Sequence, residues 1–127
     1  MSGATYLLDK EYEAGASAVT KYRIVKRDTA DGLVIIAAAV GDAMFGVAQH
    51  GAAIGARVRA RLAGISEVEL GGTVTQGELV TSDATGRAVA AAPTIGVNNR
   101  IIGVAMSSGV VGDIASVLVA PGQIQGS

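Results

Sequence analysis

The sequence predicts an all-β domain, a compact sandwich or barrel of about nine short strands with an N-terminal arm. Three observations predict it. Apolar, β-branched stretches of strand length recur at a spacing of about 8–12 residues. Gly- and Asp-containing turn signals separate them. No stretch keeps the 3.6-residue period of an amphipathic helix.

The elements follow in order. Residues 1–17 read as the arm, because they have no clean period and leave through the flexible Ala14-Gly15-Ala16-Ser17. A short helix over Leu7 to Ala14 is the alternative there. The β domain spans 18–127. Its first strand is Val19 to Arg27, with Tyr22 and Ile24 on one face and Lys21 and Arg23 on the other. After the turn Asp28 to Gly32 comes the apolar run Leu33 to Val40, then Ala43 to Ala48. Strands over Ala56 to Leu62 and Ile65 to Leu70 form a hairpin around Ala63-Gly64. Glu78 to Ser82 and Arg87 to Ala91 flank Asp83-Ala84-Thr85-Gly86, with Gly at the position that wants positive φ. Arg100 to Met106 and Ile114 to Val119 complete the set.

An internal repeat runs through this order. Phe45-Gly46-Val47-Ala48, with Gly55 six residues on, matches Ile102-Gly103-Val104-Ala105, with Gly112 six residues on. The unit 45–63 thus reappears as 102–120, two copies of a strand–loop–strand. Arg57, Arg59 and Arg61 in the first copy stand where the second has Ile114, Ser116 and Leu118. The first copy is expected to have a wet face and the second to be covered on both.

Composition excludes several functions. There is no Cys, which removes disulfides, thiolate metal sites and Cys nucleophiles. A net charge of −1 argues against neutralising nucleic-acid phosphates. Half the residues are hydrophobic, yet the aromatics are only Tyr6, Tyr12, Tyr22 and Phe45. Small side chains make thin layers rather than deep pockets. No signal peptide and no membrane span are expected. At 12.6 kDa the folded chain should expose about 6,200 Å².

Candidate chemistry is sparse. His50 is the only His and has no Cys or second His beside it, so neither metal nor cofactor is expected. Ser107-Ser108-Gly109 lacks a base at a recognisable spacing. Glu67 and Glu69 share a strand face and could act on a glycan. The hairpin, however, sets Arg61 opposite Glu67 and Arg59 opposite Glu69, an ion ladder that explains them without catalysis. The stripe Arg57, Arg59 and Arg61 is also a possible secondary contact for an acidic protein partner.

The residues then resemble a family. Lys21-Tyr22-Arg23-Ile24-Val25, Thr29-Ala30-Asp31-Gly32 and Phe45-Gly46-Val47-Ala48 come first. Gly72 to Val89, Ile102-Gly103-Val104-Ala105 and Gly112-Asp113-Ile114-Ala115 follow, and Thr81 to Val89 is the most specific part. This order is similar to the small capsid cement, or decoration, proteins of tailed bacteriophages and prophages over roughly residues 18–125. The resemblance implies a non-enzymatic virion protein on the capsid exterior, made in the host bacterial cytoplasm. It would bind the phage major capsid protein and clamp neighbouring subunits. It would assemble as a homo-oligomer, a trimer with a dimer as the alternative, and touch neither nucleic acid nor membrane. A receptor- or glycan-binding module on the particle is the second reading, which the paucity of aromatics disfavours.

Two surfaces are assigned on this basis. Tyr6, Leu7, Leu8 and Tyr12 in the arm alternate with charged residues and are expected to bind the capsid. Residues 101–127 carry only Asp113 as a charge, so Ile101, Ile102, Val117 and Val119 are expected at the oligomer interface.

Overall fold

The computed structural model describes residues 5–126, without the side chains of residues 5–7. Nine strands and no helix make up the described residues. They are β1 (Thr5–Ala14), β2 (Ile24–Arg27), β3 (Leu33–Ile36), β4 (Met44–Ala48) and β5 (Arg57–Glu69), then β6 (Leu79–Ser82), β7 (Ala88–Ala90), β8 (Asn98–Ala105) and β9 (Ile114–Gln125).

The strands run in the order β1-β3-β2-β4-β5-β9-β8-β6-β7. A further β1–β5 pairing closes the first five into a barrel. The other four extend from the second half of β5. A parallel bridge between Leu70 and Ala88 brings β7 back to the end of β5.

β5 is therefore shared. Its first half pairs with β1 and β4, its second with β9. Even-numbered residues point inward throughout, but into different cores. Val58 and Ala60 join Tyr12, Val25 and Val34 inside the barrel. Val68 and Leu70 join Val80, Ile102 and Val117 in the larger cluster. The Tyr12 and Phe45 rings meet edge to face, with centroids 5.3 Å apart.

The continuous β5 corrects one expectation. Residues 56–70 form no hairpin at Ala63-Gly64, because both halves of the strand find partners elsewhere. Arg61 lies opposite Asp9 and Arg59 opposite Glu11, while Glu67 lies opposite Ser116 and Glu69 opposite Ile114. In the N-terminal arm, the alternative helix over Leu7 to Ala14 does not form. Thr5–Ala14 is a strand docked along β5. Its inward side consists of Tyr12 and Ala14, both buried, and its outward side is charged. Tyr22 does not share a strand face with Ile24. It sits before β2 at φ 63, its N–H donating to the Ala48 carbonyl and its own carbonyl accepting from Glu69 N–H.

The exposed surface is 6120 Å², close to the value expected for a compact monomer of this mass. The chain buries one face of its last strands itself. Ile101, Ile102, Val117 and Val119 are all buried in it, so the structure places them in the core rather than on a face open to a sister subunit.

Hydrogen bonds recur along with the sequence repeat. Gln49 N–H donates to Arg59 O, and Met106 N–H to Ser116 O. Gly55 N–H donates to Ala14 O, and Gly112 N–H to Leu70 O. His50 Nε2 accepts Arg59 N–H at 3.1 Å, and Ser107 Oγ accepts Ser116 N–H at 3.0 Å.

Candidate functional site

The β1–β5 sheet gathers most of the sequence-derived site residues. Alternation puts Asp9, Glu11 and Glu13 on the same face as Arg61, Arg59 and Arg57, their register partners. Arg61 grips Asp9 with two bonds, Nε to Oδ1 at 2.9 Å and Nη2 to Oδ2 at 3.1 Å. Its Nη1 donates to the Ile65 carbonyl at 3.0 Å. Both side chains are 9% exposed, so this fork is a buried, fully engaged pair. Arg59 adds a looser contact to Asp9 at 3.6 Å. Arg57 reaches Glu11 at 2.8 Å, but both lie in solvent, where such a pair is worth at most about 1 kcal/mol.

The arginine stripe is thus graded. Arg61 is structural, Arg59 intermediate, and Arg57 is open to solvent. The four arm candidates separate as well. Leu8 is about half exposed on the strand, whereas Tyr12 points into the barrel. The side chains of Tyr6 and Leu7 lie outside the described residues.

A second polar cluster, whose members the sequence did not bring together, sits where β5 ends. Glu69 receives Arg23 at 3.5 Å and Arg87 at 3.6 Å. Arg23 Nη1 also donates to the Thr85 carbonyl at 2.8 Å. Asp83 Oδ1 accepts from the Thr85 and Arg87 N–H groups and the Thr85 hydroxyl. Burial pushes the Asp83 carboxyl up, but these bonds and the Arg87 charge outweigh it and hold it below the ordinary value. Asp42 is held low in the same manner: burial opposes, while the Ala38 N–H and the Lys26 ammonium prevail. Only the spacing of Asp83 to Gly86 hinted at this arrangement.

His50 is a loop lock. Its Nε2 accepts the Arg59 amide, which leaves Nδ1–H to donate to Gly51 O at 3.0 Å. Among the described residues no three acidic, His or Cys side chains converge as a metal would require. Two open clefts of about 500 and 480 Å³ flank β3 and share Lys26 and Ile35. The arrangement holds strands and turns in place.

The sequence profile of the phage cement protein family matches residues 11–120. The chain belongs to the phage cement protein family. The match begins inside β1 and ends within β9, so it covers the barrel and the strands that extend from it. Membership makes the chain a structural component of a phage virion. Among solved structures, the N base of head fiber gp8.5 in bacteriophage phi29 has a similar fold, with a TM-score of 0.69 and 18% identity. The alignment covers 89% of this cement-family chain and 95% of that one. A comparison with curated proteins found no match.

Proposed function

We propose that this cement-family chain binds the outer surface of the capsid and stabilises the lattice by clamping neighbouring major capsid subunits, without catalysis. The observation that carries this reading is the family match across residues 11–120. The similar fold in a phage head fiber base supports a place on the head. The physics is compatible. A clamp needs a rigid body whose contacts are mostly long-range, and many weak contacts on a repeating lattice add up.

The capsid-facing surface is the outer side of β1 with its arginine neighbours. Leu8 supplies an exposed apolar contact, Arg57 and Arg59 supply charge, and Tyr12 anchors the strand from inside. Tyr6 and Leu7 continue the same segment. The chain acts as a homo-oligomer, in the simplest case a trimer, on capsid positions of matching symmetry.

Co-sedimentation with capsids that lack the protein tests this. Wild type is expected to pellet with capsids, and Leu8→Asp combined with Arg57→Glu to bind at least tenfold more weakly at an unchanged melting temperature. Wild type that stays in the supernatant overturns the capsid reading. Unchanged binding by the double variant moves the contact away from β1.

A further inference from the structure

We propose that Gly77–Glu78–Leu79, at the entry to β6, is a second capsid contact that takes a strand end of the major capsid protein carrying a Lys or Arg. The inference rests on the clamp reading above and gives the clamp a contact outside β1.

The internal repeat supplies the precedent. Tyr22–Arg23–Ile24 in the first half and Gly77–Glu78–Leu79 in the second are equivalent by three matched bonds. Tyr22 N–H donates to Ala48 O, and Gly77 N–H to Ala105 O. Ala48 N–H donates to Arg23 O, and Ala105 N–H to Glu78 O. Ala37 N–H donates to Ile24 O, and Ala91 N–H to Leu79 O. Tyr22 and Gly77 also share a positive φ, 63 and 93.

The first stretch has its outer edge occupied by the second half of the chain. Tyr22 O accepts Glu69 N–H at 3.1 Å, and Ile24 N–H donates to Gly86 O at 2.7 Å. Arg23, between them, reaches the Glu69 carboxylate and the Thr85 carbonyl. Ile24 is completely buried within this grip.

The second stretch presents the same edge with nothing on it. Leu79 and Val104 are a non-hydrogen-bonded pair, because the bond beside them runs from Ala105 N–H to Glu78 O. Leu79 N–H therefore points away from β8. On its other side the β6–β7 register stops at Val80. Among the described residues, Leu79 N–H meets no acceptor and Gly77 O meets no donor. Gly77 and Glu78 are exposed, and Leu79 is half-buried. An unpaired edge of this kind takes an added strand through its main-chain groups.

Charge and bonding choose the occupant. Arg23 meets an acidic group, Glu69. Its counterpart is Glu78, so the matching occupant carries a cation where Glu69 stands. Glu78 Oε1 accepts the Thr75 N–H at 2.6 Å, which leaves Oε2 for that cation. A second copy of this chain does not fit. Ala14 N–H donates to Ala56 O as Leu70 N–H does to Asp113 O, which makes Glu13 the counterpart of Glu69. Glu13 would bring a carboxylate against Glu78, and its N–H is already held by Gly32 O at 2.9 Å. A strand end of the capsid protein needs one N–H for Gly77 O, one carbonyl for Leu79 N–H and one basic side chain. The main-chain bonds supply affinity and the charge pair supplies selectivity.

Co-sedimentation with capsids, read beside hydrogen exchange and light scattering, tests this. Glu78→Lys reverses the charge. Glu78→Gln removes it and keeps an oxygen for the Thr75 N–H. Asp31→Lys makes the same change of charge at an exposed turn of the first half and is the control. Glu78→Lys is expected to bind about tenfold more weakly and Glu78→Gln about threefold, with the control as wild type. In the free protein the Leu79 amide is expected to exchange fast and the Ile24 amide slowly. On capsids, exchange in residues 76–80 is expected to slow. A wild type that does not pellet overturns the capsid reading and this contact together. A wild type that pellets, with both Glu78 variants unchanged or exchange in 76–80 no slower, overturns this contact alone. A Glu78→Lys variant that lowers the scattering mass of a multimeric wild type assigns the edge to a second copy, which also overturns the proposal.

Discussion

Gly86 shows how much one position can decide. The Asp83 to Gly86 turn was legible from four letters, and Gly86 does sit at φ 79. What the letters could not show is its surroundings. Its carbonyl accepts from Ile24 N–H at 2.7 Å, and a Cβ there would strike the Ile36 side chain and crowd the Ile24 carbonyl. Gly32 has a similar φ of 82 but open space around it. Gly32→Ala should therefore cost about 1 kcal/mol, from backbone strain alone. Gly86→Ala adds overpacking and should cost about 2 to 4 kcal/mol. Chemical denaturation of the two variants separates these terms, and equal losses would mean that β2 does not press on the turn. Asp83 gives the same turn a pH signature. Its carboxyl titrates lower in the folded chain than the ordinary 3.8, so it stabilises the fold above that value. The contribution disappears as the pH falls through the lower folded value. Asp83→Asn should lower the melting temperature at neutral pH and flatten its fall in acid below about pH 4. A parallel acid profile in the variant would remove this role.

At the scale of elements, β1 and β5 carry the lesson about what a sequence conceals. Three arginines at alternate positions announced a charged strand face. Two acidic sets could have faced them: Glu67 and Glu69 close by, or Asp9, Glu11 and Glu13 far away. Short connections favour the close set, but a strand that runs straight through Gly64 cannot fold onto itself. The distant set won because it closes the barrel. β1 itself was hard to read because its inward side offers only Tyr12 and Ala14, too few for a visible alternation. The apolar end of the chain was misjudged for a related reason. Composition showed that Ile101 to Val119 lacks charge but not which side of the pleat faces in. Val117 and Val119 face the core, while Ile114 and Leu118 face out. Because the Arg61–Asp9 fork is buried, Arg61→Ala should cost about 3 kcal/mol, by leaving Asp9 with only the looser Arg59 contact at 3.6 Å. Arg57→Ala should cost under about 1 kcal/mol. Urea melts of both variants check this contrast. Deleting residues 2–17 removes a strand from a closed barrel, and a cooperative melt is expected to disappear rather than merely shift.

At the scale of the whole molecule, both barrel closure and the extension from β5 rest on strands distant in sequence, and this makes the body rigid. Gly103 lies opposite Val119 in the β8–β9 ladder, and a Cβ there would collide with the Leu118 carbonyl. Gly103→Ala should weaken the folded body and lower the melting temperature by overpacking the β8–β9 ladder. The all-β class and the strand count were readable because turn residues punctuate the chain. The assignment to phage cement proteins was readable because Thr81 to Val89 spells a turn and its flanking strands in one piece. Which residues end up exposed depends on pleat direction and distant pairing, which no local pattern carries. The clamp itself is tested most directly by imaging capsids incubated with the purified protein. The account predicts added density on the outer surface, seated at junctions and touching more than one capsid subunit. Bare capsids, or density confined to a single subunit, would contradict it.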